Sequence, residues 1–164
     1  MSEQVFLKSR DEMEGLLQAE SIGCLGLSTN GTPYVVPLNY SYSGGRILFH
    51  CALEGKKIDA IRANPRVCFT VGRQTGEVRD HAGGSLCHVD NDSVICCGTA
   101  RIIEDLGERA AALNAFNRRF RPDEPDVPME RVKKCWAVEI TISEMTGRRE
   151  RDQNRTYWRY TFQR

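Results

Sequence analysis

"SIGCLGLSTNGTPYVVPLNYSY", residues Ser21 to Tyr42, decides the reading of the fold. It contains two strand-like runs joined at Asn30–Gly31, the dipeptide favoured by two-residue hairpin turns. The second run alternates, with Tyr34, Val36, Leu38, Tyr40 and Tyr42 on one side. Pro37 sits in its middle and cannot donate to a ladder, so the run is expected at a sheet edge or a bulge. An ordinary edge strand is one reading. The other is that backbone groups from Pro37 to Asn39 stay free for a planar, hydrogen-bonding ligand.

Downstream, "SGG" (Ser43 to Gly45) turns into the strand "RILFHC". Then "ALEGKKIDAIRANPRV" reads as a helix over 54–63, stopped by Asn64–Pro65. Lys56 and Lys57 stand in its opening turn beside Gly55. Free backbone N–H groups and a positive dipole end make such a turn a ready anion seat. Lysine is not what the dipole prefers there, so the pair is either a phosphate seat or a solvated charged face.

Upstream, Ser9 and Glu12 form a capping box before the short helix in "KSRDEMEGLLQAE". "RVCFTVG" and "SVICCGTARIIE" are strands, and "GEVRDHAGGSLCHVDND" between them reads as a loop. Asp105 begins a helix with the apolar stripe Leu106, Ala110, Leu113, Phe116 and Phe120. "RPDEPDVP" is a connection, "KCWAVEITISEMT" the last clear strand, and "GRRERDQNRTYWRYTFQR" a basic tail with an aromatic end. Hairpin-linked strands with a few short helices point to an α+β, mainly β, antiparallel barrel.

The 164 residues fit one domain, 1–164, and 40% apolar with 27% charged residues is ordinary for a globular chain. A net charge of +1 gives no reason to expect a nucleic-acid partner. No apolar run approaches the roughly 20 residues of a membrane span, and "MSEQVFLKSRDE" does not read as a signal peptide. The seven cysteines are an odd number, and most lie in strand-like apolar surroundings. They suggest a reducing, cytoplasmic setting rather than a disulfide framework. His81, Cys87, His88 and Asp90 cluster in sequence without C-x-x-C or H-x-x-x-H spacing, so no metal is expected.

An ordered set of motifs carries a resemblance. P-x-x-x-P-L-x-Y (Pro33 to Tyr40) is followed by F-H-x-A-x-x-G-x-K (Phe49 to Lys57), N-P-x-V (Asn64 to Val67) and S-V-x-x-x-G-x-A (Ser93 to Ala100). Residues 10–147 resemble the pyridoxamine 5′-phosphate oxidase-like FMN-binding split barrels, within them the nitroimidazole-resistance, nitroreductase-like branch. The resemblance implies a six-stranded antiparallel Greek-key barrel, with FMN held in clefts between the subunits of a homodimer. By the same matching, Lys56 and Lys57 would bind the FMN phosphate, and Val36, Pro37, Leu38, Asn39 and Tyr40 would line the isoalloxazine ring. His50 and Cys51 would end the next strand beside the flavin, and Ser93 would contact it from the neighbouring subunit.

His50 is the expected catalytic or tuning group, against the alternative of a structural strand-end histidine; Cys51 reads as packing. The true oxidases carry a C-terminal Arg-x-His motif for the substrate phosphate. The only histidines here are His50, His81 and His88, so vitamin B6 oxidation is not expected. Residues 148–164 match nothing in the family, and Trp158 with its aromatic neighbours is expected to cover a partner subunit. The functional expectation is an FMN-dependent oxidoreductase passing electrons from a small donor to a planar acceptor such as a nitroimidazole. A non-catalytic flavin-binding protein, or a deazaflavin- or haem-binding relative, are the alternatives.

Overall fold

The computed structural model describes residues 6–7, 9–80, 87–151 and 154–162. The expected hairpin is β2 (Ile22–Thr29) with β3 (Thr32–Asn39), following a short β1 (Phe6–Leu7) and helix α1 (Arg10–Ala19). Asn30 and Gly31 have φ of 50° and 76°, the left-handed pair that a type I′ turn requires. Register runs unbroken from Ile22 opposite Asn39 to Thr29 opposite Thr32.

The same run continues as β4 (Ser41–Ser43), which leaves β2 and pairs with β5 (Arg46–Cys51). Helix α2 (Lys56–Ala63) leads to β6 (Arg66–Asp80) and β7 (Cys87–Ile103). Then come α3 (Leu106–Phe120), α4 (Met129–Val132), β8 (Trp136–Arg151) and β9 (Asn154–Thr161). The sheet order is β1-β9-β8-β7-β6-β2-β3, with β5 on β8 and β4 on β5.

Because β3 and β4 are one run interrupted at Tyr40, the path from β3 through β2, β6, β7, β8 and β5 returns to its start. That is the predicted six-stranded barrel, split where the run changes partner. Every pairing is antiparallel except β1 with β9. Pro37 sits on β3 at the end of the sheet path, so of the two options it marks an edge and not a bulge.

The core fills the barrel with Leu25, Tyr40, Ile47, Phe49, Phe69, Ile140 and Met145, all fully buried. Met13, Leu16 and Leu17 of α1 are also buried, and the Tyr40 hydroxyl donates to the Leu17 carbonyl at 2.8 Å. Helix α3 adds Leu113 and Phe116 to the interior, while Leu106 and Phe120, expected on the same stripe, are exposed. Arg109 is buried in their stead. Its guanidinium donates to the carbonyls of Ile103 and Glu104 and lies 3.9 Å from the Trp136 ring centroid.

Three expectations need correction. Helix α2 starts at Lys56, not at 54, because its N-cap Gly55 has a φ of 121° that ends the preceding turn. The stretch read as a loop carries the outer ends of β6 and β7, paired as Val78–Val89, Arg79–His88 and Asp80–Cys87. The tail is also a strand: β9 pairs with the extension of β8, Glu150 opposite Arg155. Its Tyr160 and Phe162 pack on this chain's own core. His81, and the side chains of Cys87, His88 and Trp158, lie outside the described residues. Among the described residues no helix is long and apolar enough to cross a membrane.

Candidate functional site

Helix α2 begins with nothing but glycine at its cap. Gly55 makes no side-chain capping bond, and open space surrounds the position where a Cβ would stand. The first helical bonds run from the Ile58 and Asp59 amides to the Gly55 carbonyl, at 2.9 and 3.2 Å. The Lys56 and Lys57 amides precede them in the turn that has no intrahelical acceptor. Exposed Lys56 reaches one wall, its Nζ 4.5 Å from the Tyr34 ring centroid of β3. Half-buried Lys57 reaches the other, its Nζ 5.6 Å from the Phe49 centroid of β5. One cation thus lies over a β3 ring and the other near a β5 ring.

The β3 edge has a definite polarity. The Tyr40 amide donates to the Ser21 carbonyl at 3.3 Å, so the peptide groups of Leu38 and Val36 also face β2. Those of Asn39 and Pro37 consequently face the open edge, where proline's missing N–H costs the ladder nothing. Val36 and Leu38 put their side chains against the core, while Pro37 and Asn39 are exposed. Tyr40 is wholly buried, so its side chain is part of the packing.

On β5, the exposed His50 points out of the barrel and Cys51 packs inward. Burial, then the charge of Lys57, holds the His50 pKa below its ordinary value. Burial pushes the Cys51 thiol up against the opposing effect of Lys57, which keeps it a protonated packing group. Asn39 and His50 share a cleft of about 700 Å³ between barrel and α3. Phe116, Asn117, Phe120 and Arg121 line its helical side, and residues 124–128 with Arg131 close its rim.

Ser93 is elsewhere in this chain. It lies on β7 opposite Gly72 and Arg148, beside a small crevice with Arg73 and Asp92. The structure thus brings together Asn39 and His50 at the cleft and Lys56, Lys57, His50 and Cys51 beside α2, but leaves Ser93 apart. Sequence reading missed Asn117, Arg121 and Arg131. The one available signal was an apolar α3 stripe running on to Phe120 next to a proline-rich connection.

A split antiparallel barrel with an open edge strand, an uncapped cationic helix start and an adjoining cleft defines the class. The family model for pyridoxamine 5′-phosphate oxidase matches residues 9–149, and the chain belongs to that family. An uncharacterized protein of Rhizobium meliloti is 36% identical over 67 residues, 41% of this chain and 44% of that protein. The chain's match thus spans less than half of that relative.

Among solved structures, a candidate 5-nitroimidazole antibiotic resistance protein of Bacteroides thetaiotaomicron superposes with a TM-score of 0.77 at 24% identity, covering 87% of this chain and 85% of that one. The flavocytochrome Anf3 of Azotobacter vinelandii gives 0.76 at 19% identity, covering 96% and 80%. At these identities the likeness is one of fold. A FAD-binding protein of Mesorhizobium loti gives 0.63 at 28% identity, covering 87% and 96%.

Proposed function

We propose that the protein binds FMN and serves as a flavin-dependent oxidoreductase, passing electrons to a small planar acceptor such as a nitroimidazole. The observation that carries this reading is the α2 start. Gly55 with open space at its cap, a first turn whose amides have no intrahelical acceptor, and two adjacent lysines suit an anion such as a phosphate. The open β3 edge next to it suits the polar rim of a flavin ring, through the Asn39 N–H and the Pro37 and Asn39 carbonyls.

A bound flavin supplies the electron-transfer chemistry. The chain's own part is to hold, orient and shield. Neutral His50 offers one donor and one acceptor nitrogen at the cleft, and Phe116 with Phe120 gives its helical wall an apolar lining. The 28%-identical relative described as FAD-binding favours a second reading, in which the dinucleotide occupies the same seat.

The reading includes a homodimer. Ser93 reaches a flavin only if a second copy brings it. The exposed Ile22, Val35 and Ile95 lie on an outer sheet face suited to that contact. The test is the absorbance spectrum and mass of the purified protein. A yellow dimer with one FMN per chain is expected, whereas a colourless chain that ignores added flavin refutes the reading. Released FAD in place of FMN selects the second reading.

A further inference from the structure

Cys68 of β6 and Cys97 of β7 stand directly opposite each other in the ladder. Both are free thiols on exposed residues. The ladder's phase is fixed nearby, where the Ala100 amide donates to the Pro65 carbonyl at 2.8 Å. Opposed antiparallel pairs alternate between hydrogen-bonded and non-hydrogen-bonded. Counting from Pro65–Ala100 through Arg66–Thr99 and Val67–Gly98 makes Cys68–Cys97 a non-hydrogen-bonded pair. Such pairs hold their Cα atoms about 4.5 Å apart with side chains close together. Disulfides span Cα separations from about 4.4 Å upwards, so the bond needs little strand movement.

The surroundings agree. The two thiols interact directly, and burial, then Cys97, pushes the Cys68 thiol up. Gly26 opposes Cys68 from β2 and has no side chain to intervene. Neighbouring Cys96 is fully buried in the core, and Cys24 faces Pro37 and Thr70 in place of another thiol.

We propose that Cys68 and Cys97 form a redox-modification site that hydrogen peroxide closes into a cross-strand disulfide. The Cys97 sulfur attacks one peroxide oxygen, the O–O bond breaks, and water leaves with Cys97 as a sulfenic acid. The Cys68 sulfur then attacks Cys97, the S–O bond breaks, the S–S bond forms, and a second water carries off the remaining thiol proton. Each cysteine gives up one electron and the peroxide takes two. Closure removes two hydrogens and adds no atom; the pair stands in one row with Val35 and Gly26, so peroxide reaches it while that face is not covered by a second copy. An exposed bond of this kind is reducible by small thiols.

The test treats the purified full-length protein with hydrogen peroxide and reads intact mass and a non-reducing peptide map. The expected result is loss of two hydrogens per chain, restored by dithiothreitol, with one linked peptide pair carrying Cys68 and Cys97. Cys97→Ser should lose no hydrogens and gain oxygen at Cys68 instead. Oxygen added to both cysteines without linkage, a link between chains, or a link through another cysteine would overturn the proposal. None of these outcomes depends on flavin binding, so the two readings fail separately.

Discussion

The imidazole of His50 meets the Phe116 ring edge-on, with centroids 4.9 Å apart and planes at 88°. One residue belongs to β5 and the other to α3, so the contact ties the helix to the barrel at the cleft. Burial, followed by Lys57, keeps the folded pKa of His50 below its ordinary 6.5. Between those two values the unfolded chain binds the proton more readily. His50 therefore costs stability as pH falls through that window and is neutral in effect above it. An NMR titration should give a His50 midpoint below 6.5, and Phe116→Ala should raise it by opening the ring to water. A parent midpoint at or above the ordinary value would exclude the neutral role.

Asp92 organises the barrel's far side. It is 4% exposed, accepts from Arg149 Nε at 3.0 Å and Arg151 at 2.8 Å, and has Arg73 at 3.6 Å. Burial alone would raise its pKa, but Arg149 and then Arg151 outweigh that and hold it below the usual range. A depressed carboxylate contributes stability above its unfolded pKa and loses it as pH falls through the folded one. Asp92→Asn should cost about 1–3 kcal/mol at neutral pH, because the arginines it leaves stay partly solvated. It should also flatten the acid limb of a urea-stability profile, and an unchanged limb would contradict this account.

Gly98 sits at the register shift where Cys97 faces Glu144 and Gly98 faces Ile142. A Cβ there would stand 2.3 Å from the Thr141 carbonyl oxygen, which the ladder holds in place. Gly98→Ala should destabilise by at least about 1–3 kcal/mol. Exposed Gly15 in α1 has nothing within 4 Å of its Cβ position. Gly15→Ala should stabilise by about 0.5–1 kcal/mol. Urea midpoints moving in opposite directions check both.

Local chemistry was legible in the sequence; cross-strand pairing was less so. The Ser9 cap receives the Glu12 amide at 3.4 Å, and Asp105 receives the Glu108 amide at 2.8 Å, as their spacing predicts. Asn30–Gly31 and Pro37 likewise act within a few residues of themselves. Residues 76–80 and 87–92 did not read as strand because they gain order from each other's ladder, with Val78 still 59% exposed. The tail hid its strand because β9 gains its ladder only from the far end of β8, Glu144 to Arg151, a pairing that local periodicity does not reveal. Arg109 broke the α3 stripe because it satisfies carbonyls at the β7–α3 corner, a need no periodicity reveals. The cleft was the least legible, since Asn39, His50 and Arg131 come from three separate elements.

The central claim is that Lys56 and Lys57 hold a flavin phosphate at the start of α2. The most direct measurement is the affinity of the parent and of the Lys56→Ala, Lys57→Ala double variant for FMN and for riboflavin, which lacks the phosphate. Charge-assisted bonds to phosphate contribute about 1.5–3 kcal/mol each, so FMN should weaken about 100-fold or more. Riboflavin affinity should hardly move, and the variant should fold, because a helix start loses nothing by shedding two cations. Equal weakening of both flavins, or unchanged FMN affinity, would contradict the account.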